Sequence, residues 1–553
     1  VSRFVPAFVV LCVLLSCGAP PLPEGDAGVD AGETGDAGGA DASVVDAGND
    51  AGAMRDAGLA DAGDGDAGVR DGGSDDAGAT LVTVGHEREL RGVWIASVSN
   101  LDWPTSSTLS ADAGRASLVA LVDSMADAGM NALFFQVRPE SDALYASTLE
   151  PWSRYLTGTQ GRDPGWDPLA ELLTLAHARG LEVHAWINPY RGLVSSTSQV
   201  ATNHVTRTLS AFAVTYDGKV VMNPGAPAVR QHVKAVVSDL LGRYDVDGLH
   251  FDDYFYPYPD SANTPFPDAA TYQGYQADGG TLSPADWRRE NVNALVREVM
   301  ALVKRDHPQV RFGISPFGIW KSGTPAGITG LSAYDVISCD AVTWMNEGWV
   351  DYLAPQLYWP IGGAQDFIKL SSWWAAGTMG GRHLFSGQGA YRLAAPTSWP
   401  LSEYRAQLQH LRTLRAQNTL GAIHFRARDI QLNRAGGAEP GGGAAIADGV
   451  ATLLRRDFHA SPALPPPLPR AGAVQVPPVP FVSQQGATLS VTSPLPALVR
   501  FFALYREVMP GQWQLVAVRG GAQVSFAVTS GAWAVSAVGR GGGESQGVRL
   551  VVP

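Results

Sequence analysis

Residues Asp247 to Pro259 read DGLHFDDYFYPYP: a short apolar run meets two adjacent carboxylates, and three tyrosines and a phenylalanine follow at once. In a strand successive side chains alternate sides, so His250 and Asp252 share one face while Leu249, Phe251 and Asp253 share the other. A carboxylate then stands beside a histidine at the end of a buried strand. Stability alone rarely puts one there, because an unpaired buried charge costs several kcal/mol. Such an Asp caps a turn or pairs with an Arg, or else it serves catalysis or substrate binding.

Working outward, the same kind of apolar run recurs at Leu90–Ser97, Ala132–Pro139, Glu182–Tyr190, Gly248–Tyr254, Arg311–Gly318, Asp351–Trp359, His383–Tyr391 and Gly421–Asp429. Amphipathic stretches with helical spacing lie between them, at Ala111–Ala128, Pro168–Arg179, Ala226–Arg243, Ser283–Asp306, Leu401–Arg415 and Ala444–Arg455. Alternating strands and helices of this number predict an α/β fold, a (β/α)8 TIM barrel over residues 82–460. An open doubly wound sheet is the alternative, but no glycine-rich phosphate loop follows the first run.

In such a barrel the site lies where strands end and loops begin. Alternation sets Gln136, Arg138 and Glu140 on one side of the second strand and its exit, and His184, Trp186 and Asn188 on one side of the third, continuing into Tyr190 and Arg191. Gln356, Tyr358 and Trp359 leave the sixth strand, and His424 and Arg426 leave the eighth. Any one of these suits an interior hydrogen bond, but five strands ending in polar residues of the same parity predict a lined cleft. Trp94, Tyr254 and Tyr256 add flat faces of the kind that stack on sugar rings. No cofactor or firm metal spacing is read; His184, His250 and Asp252 across neighbouring strands are the one zinc alternative. A Gly-x-Ser-x-Gly elbow is missing, and so is a cysteine at a strand end.

The motifs LRGVWIAS, FFQVRPESDALYASTLEPWSRYLTGTQGRDPGWDPL, EVHAWINPYR, GLHFDDYFYP and APQLYW resemble the glycosyl hydrolase-like family ten of bacterial envelope proteins, from about Glu89 to about Phe458. The resemblance implies a glycosidase barrel. A studied member type is a lipoprotein of the cell-division apparatus that cleaves peptidoglycan glycan strands stripped of their stem peptides. Glycoside hydrolysis needs two groups around the scissile bond, one protonated and one ionised. Asp252 is expected to be the ionised group, with Asp253 tuning it through like charge, and Glu140 the acid, with Glu347 as its rival. In a third scheme the substrate's own acetamido oxygen attacks while Asp252 and Asp253 serve as polariser and acid. A glycan-binding protein without catalysis and a metal-dependent polysaccharide deacetylase are the competing functions; no nucleic-acid partner is expected.

Residues 1–17 carry Arg3, an apolar run from Phe4 to Leu15, and Leu14-Leu15-Ser16-Cys17. A basic start and a short apolar core describe a secretory signal, and the ending resembles a lipobox. That resemblance implies lipidation at Cys17, a lipid anchor and, with Gly18 following, the outer membrane. With Cys12 in the signal and Cys17 lipidated, Cys339 is left without an intrachain partner.

Residues 18–80 repeat Asp-Ala-Gly nine times, and the fifteen acids from Glu24 to Asp76 against Arg55 and Arg70 give −13, the formal charge of the whole chain. So acidic and apolar-poor a run predicts a disordered tether, and its charge is no guide to the partner of the folded part. Residues 461–472 read as an extended proline-rich linker and hinge. Residues 473–553 read as short strands of a small β-sandwich similar to a fibronectin type III module, suited to spacing or to binding envelope polymer.

Overall fold

The computed structural model describes residues 80–377, 380–394, 397–431, 449–470 and 472–553. The expectations for the signal, Cys17 and the tether lie outside these residues, as does the first part of Ala444–Arg455. Every apolar run becomes a strand: β1 (Leu90–Ile95), β2 (Ala132–Arg138), β3 (Glu182–Ile187), β4 (Gly248–Phe251), β5 (Arg311–Ile314), β6 (Tyr352–Leu353), β7 (His383–Gly389) and β8 (Thr419–Phe425). Each pairs in parallel with the next, and β8 closes the barrel on β1, with His424 opposite Val93. Leu133, Phe135 and Val137 of β2 face the core shared with the helices. Phe134 of β2, Trp186 of β3 and Tyr352 of β6 meet inside the barrel.

Among the described residues, the helices on the outside include α1 (Ala111–Asp127), α2 (Pro168–Ala178), α3 (Pro227–Arg243), α4 (Pro284–Asp306), α5 (Ala341–Asn346), α6 (Phe367–Ala376) and α7 (Leu401–Thr413). Their starts are written locally. Ser110, Asp167, Ser283 and Asp366 accept first-turn N–H groups of α1, α2, α4 and α6, and a proline opens α2, α3 and α4.

Inside the barrel a polar ladder takes the space that glycines leave. A Cβ on Gly248 would lie 2.3 Å from the His184 ring, and one on Gly313 would lie 2.2 Å from the ring of Tyr352. Trp94 Nε1 can only donate, and it does so to His250 Nε2 at 3.0 Å. His250 Nδ1 must therefore carry the proton it gives to the Tyr352 hydroxyl at 2.9 Å. That hydroxyl turns toward His184 Nδ1 at 3.5 Å, and His184 Nε2 ends the chain on Glu182 at 3.1 Å. Burial holds His250 neutral by pushing its pKa well down.

The C-terminal strands are β9 (Phe481–Gln485), β10 (Thr488–Thr492), β11 (Val499–Met509), β12 (Gln512–Arg519), β13 (Gln523–Ala527), β14 (Gly531–Gly539) and β15 (Gly547–Val552). Strands β9, β10 and β13 form one antiparallel sheet; β15, β14, β11 and β12 form the other. Leu489, Val491 and Phe526 of the first meet Phe502, Leu504, Trp533 and Val535 of the second, making a sandwich.

Two boundaries differ from the sequence reading. Thr80–Val82, read as the border of tether and barrel, is the edge strand of the second sheet, pairing Thr80 with Arg549 and Val82 with Gly547. Residues 461–470, read as part of a hinge, are instead a packed strap. Ala463, Leu464 and Leu468 are buried, and the carbonyls of Ala463, Leu464 and Pro466 accept from Asn131, Glu89 and Arg311 at the barrel's lower rim. Composition identifies an extended proline-rich segment but not what it packs against.

Strap and sandwich meet the N-terminal ends of the strands. Asp247, one residue before β4, pairs with Arg500 of β11 at 2.7 Å, and Asp351, one before β6, pairs with Arg470 at 2.8 Å. The strand C-termini lie at the other end.

Candidate active site

At that other end β4 stops at Phe251, and both aspartates sit in the turn that follows it. Asp252 reaches toward β3: its Oδ2 accepts from Trp186 Nε1 at 3.2 Å and from Asn188 Nδ2. Asp253 reaches toward β6, accepting from Gln356 Nε2 at 3.0 Å and from the Tyr258 hydroxyl. Gln356 also bonds the Ser315 carbonyl at 3.1 Å, which ties the exits of β5 and β6 together.

Behind Asp252 stands a fixed series. The amides of Ser97 and Val98 both donate to Gln136 Oε1 at 2.9 Å. Gln136 Nε2 donates to Asn188 Oδ1 at 2.6 Å, so the Asn188 amide must turn its NH2 to Asp252.

Burial pushes Asp252 up to about 7; the Arg191 guanidinium works against this and the Asp253 charge adds to it. Burial also raises Asp253, though Tyr258 and Gln356 favour its ionised form. The group expected to be ionised is thus the one the fold keeps partly protonated at neutral pH. Two donors on one oxygen do not offset the loss of water around it.

The other named residues separate into those at the pair and those elsewhere. Trp186, Asn188, Arg191, Tyr254 and Gln356 surround the aspartates; the Arg191 guanidinium lies over the Tyr254 ring at 4.5 Å. Trp94, Gln136 and His250 lie one layer below, and His184 lower still. Tyr358 stacks on Phe425 beside β8, and Trp359 packs edge-on to Phe317.

Arg138 does not line the cleft. A bulge after Gln136 breaks the alternation, and the buried guanidinium grips Glu150 at 2.7 and 2.5 Å. Tyr190 and Tyr256 are correct in strand parity but lie past the strand ends, and both pack in the outer core. Arg426 sits between Asp102 at 4.0 Å and Asp429 at 3.6 Å. Neither acid is singled out by the sequence pattern, and burial pushes Asp429 up to about 6. Tyr258 stands in the opening aromatic run, but nothing in its spacing marks it as the partner of Asp253.

The two candidate acids also move. Glu140 is fully buried, with Oε1 on the Val194 amide at 2.6 Å and Oε2 on Arg154 at 3.1 Å. It ties the loop after β2 to the loop after β3, and among the described residues no hydrogen bond or ion pair joins it to Asp252 or Asp253. Glu347 ends α5 on the exposed turn leading into β6, at the opposite end of the barrel. It cannot serve as the rival acid.

The zinc alternative fares similarly. Both ring nitrogens of His250 are engaged, His184 bonds Glu182, and Asp252 faces Trp186 and Asn188. Among the described residues no group of three or more His, Cys, Asp or Glu side chains is arranged to hold a metal ion.

Comparison with known proteins adds the family. A model described as glycosyl hydrolase-like 10 matches residues 89–401. This chain belongs to the glycosyl hydrolase-like 10 family. The glycosyl hydrolase YngK of Bacillus subtilis (strain 168) is 38% identical over 394 residues, 69% of this chain and 74% of that protein. The glycosyl hydrolase DigH of Escherichia coli (strain K12) is 37% identical over 332 residues, 56% of this chain and 74% of that one. Among solved structures, the glycoside hydrolase domain of PgaB (BpsB) from Bordetella bronchiseptica matches with a TM-score of 0.43 at 15% identity, over 67% of this chain and 98% of that one, a likeness too slight to argue from. The segment matched by the glycosyl hydrolase-like 10 model contains Asp252, Asp253 and every donor described for them.

Proposed function

We propose that this chain is a glycoside hydrolase of an envelope amino-sugar polymer, with peptidoglycan glycan strands stripped of stem peptides as the first candidate. The observation that carries the reading is the buried pair at the end of β4, one carboxyl lifted to about 7 and its neighbour bonded by a phenol and an amide. A carboxyl that holds its proton near neutral pH is suited to give it to a departing sugar oxygen. Asp252 takes that role. Asp253, with two donors favouring its charge, is the ionised partner that steadies the developing positive charge or orients an acetamido group for attack on the anomeric carbon. Trp186 and Tyr254 supply the aromatic faces.

Secretion, a lipid anchor at Cys17 and an outer-membrane address belong to the same proposal, supported by the lipobox-like ending of the first seventeen residues. The test is incubation of the protein with intact sacculi and with sacculi stripped of stem peptides, the soluble products being read by mass spectrometry beside Asp252→Asn. New glycan ends from the stripped material, missing with the variant, are expected. Release that persists in the variant removes Asp252 from the chemistry. No release from either substrate, with the protein retained on the glycan, replaces the enzyme by a binding protein.

A further inference from the structure

Arg191 opens the short strand Arg191–Leu193, and its backbone is fixed by pairing with Lys219–Met222 and by the Ser141 hydroxyl, which donates to its carbonyl at 2.9 Å. Its guanidinium carbon lies over the Tyr254 ring, 4.5 Å from the centre, and the Tyr254 amide reaches Asp252 Oδ1 at 3.4 Å. Among the described residues no carboxylate and no hydrogen-bond acceptor pairs with that guanidinium. The arrangement recurs after β7, where Arg392 rests on Tyr391 at 5.0 Å and its buried Nε has no partner.

Two carboxylates beyond β6 and β7 are engaged by backbone amides. Asp366 accepts from the amides of Gly362 and Lys369, and Glu403 from that of Ile361. Arg191 feels the charge of Asp252 and Asp253, but among the described residues it makes no hydrogen bond or ion pair to either, so its N–H edge is not taken up by an acid of the site. An aromatic ring holds the guanidinium plane while leaving its N–H edge free, and that edge matches a carboxylate in two parallel hydrogen bonds.

We infer that Arg191 is a specificity-determining residue that takes a carboxylate of the glycan beside the scissile bond. The inference rests on the glycosidase reading for its location, not for its test. An acid ether-linked to an amino sugar and the acid of a uronic sugar offer the same group. A guanidinium that served only to offset the two aspartates would affect acidic and neutral glycans alike.

The test is binding to the full chain carrying Asp252→Asn, so that nothing is consumed. Calorimetry compares soluble oligosaccharides bearing a lactyl ether acid, oligosaccharides of a uronic acid, and each again with its carboxyl reduced to the alcohol. The acid form is expected to bind about tenfold or more tighter than its reduced form, the strength of a charge-assisted pair. Arg191→Gln is expected to bring that ratio to about one by weakening the acid form alone. Which acid shows the ratio names the source of the carboxylate.

A ratio already near one in the parent, a ratio that survives Arg191→Gln, or no binding of either form overturns the inference. Hydrolysis is measured separately with Asp252 in place. A ratio without hydrolysis sinks the glycosidase reading and leaves Arg191 its role; hydrolysis with no ratio does the reverse.

Discussion

Asp252 loses its proton near 3.8 in an unfolded chain and keeps it to about 7 in the fold. If it is the proton donor, kcat/KM falls as pH rises through about 7; an ionised nucleophile at the same position gives a rise instead, so a pH profile on a soluble glycan decides its role. The same shift costs stability. Between the two values only the unfolded state ionises, so the fold weakens as pH rises and the loss is complete above the higher one. Asp252→Asn is therefore expected to melt above the native protein near pH 8 and level with it near pH 4, an advantage on the order of 2 kcal/mol or more by linkage. A lower melting temperature at both pH values would show that the two donors outweigh burial.

The residue behind Asn188 gives a finer handle. In Gln136→Glu the new carboxylate still accepts the Ser97 and Val98 amides but cannot donate to Asn188. The Asn188 amide then turns over and offers its oxygen to Asp252, favouring the protonated acid. The alkaline limb of the profile is expected to move up by about one unit. An unmoved limb would mean that the series does not set the Asp252 proton.

At the scale of elements, short continuous apolar runs locate the eight strands because each strand buries both faces between barrel interior and helices, its side chains alternating between the two with period two. The site is legible only where that period persists. Trp186 and Asn188 follow it and arrive at Asp252. Arg138 does not, because one bulged residue turns it away, and Tyr190 and Tyr256 follow turns in which parity has no meaning. Alternation puts Asp253 on the far side of a strand that in fact ends two residues earlier; released from the ladder, it faces Gln356. Partners brought together from separate strands, such as Gln356 with Asp253 or Arg500 with Asp247, leave no trace in local pattern.

That last pair carries its own prediction. Arg500 holds Asp247 well below the usual carboxylate range, assisted by His177, and the Asp247 side chain is only 2% exposed. Arg500→Ala leaves a buried charge without its main partner and is expected to destabilise the protein by about 3 kcal/mol or more. Thermal melting measures it. A depressed carboxylate contributes above its unfolded pKa and is lost as pH falls through the folded one. The deficit of the variant should therefore be present at neutral pH and shrink in strong acid; a deficit that stays constant would point to lost packing rather than lost charge.

At the scale of the whole molecule, the candidate site and the sandwich occupy opposite ends of one barrel. Charges at the strand starts, including Asp247, Asp351 and Arg311, find partners in the strap and the sandwich as well as within the barrel, so these segments complete the lower end of the barrel and do not merely follow it. The edge strand Thr80–Val82 closes the sheet that docks there, and Val82 and Val84 pack on the same cluster as Leu464 of the strap. Deleting the chain through Val82 uncovers the ladder edge of β15 and part of that cluster while leaving every group around Asp252 in place. The melting temperature is therefore expected to fall, while kcat/KM on a soluble oligosaccharide, measured well below the new transition, stays within about twofold of the full chain, because substrate contacts made only at the mouth are untouched. A large rise in KM with unchanged melting would reverse the assignment, making the sandwich end a second contact for the glycan rather than the closure of the barrel.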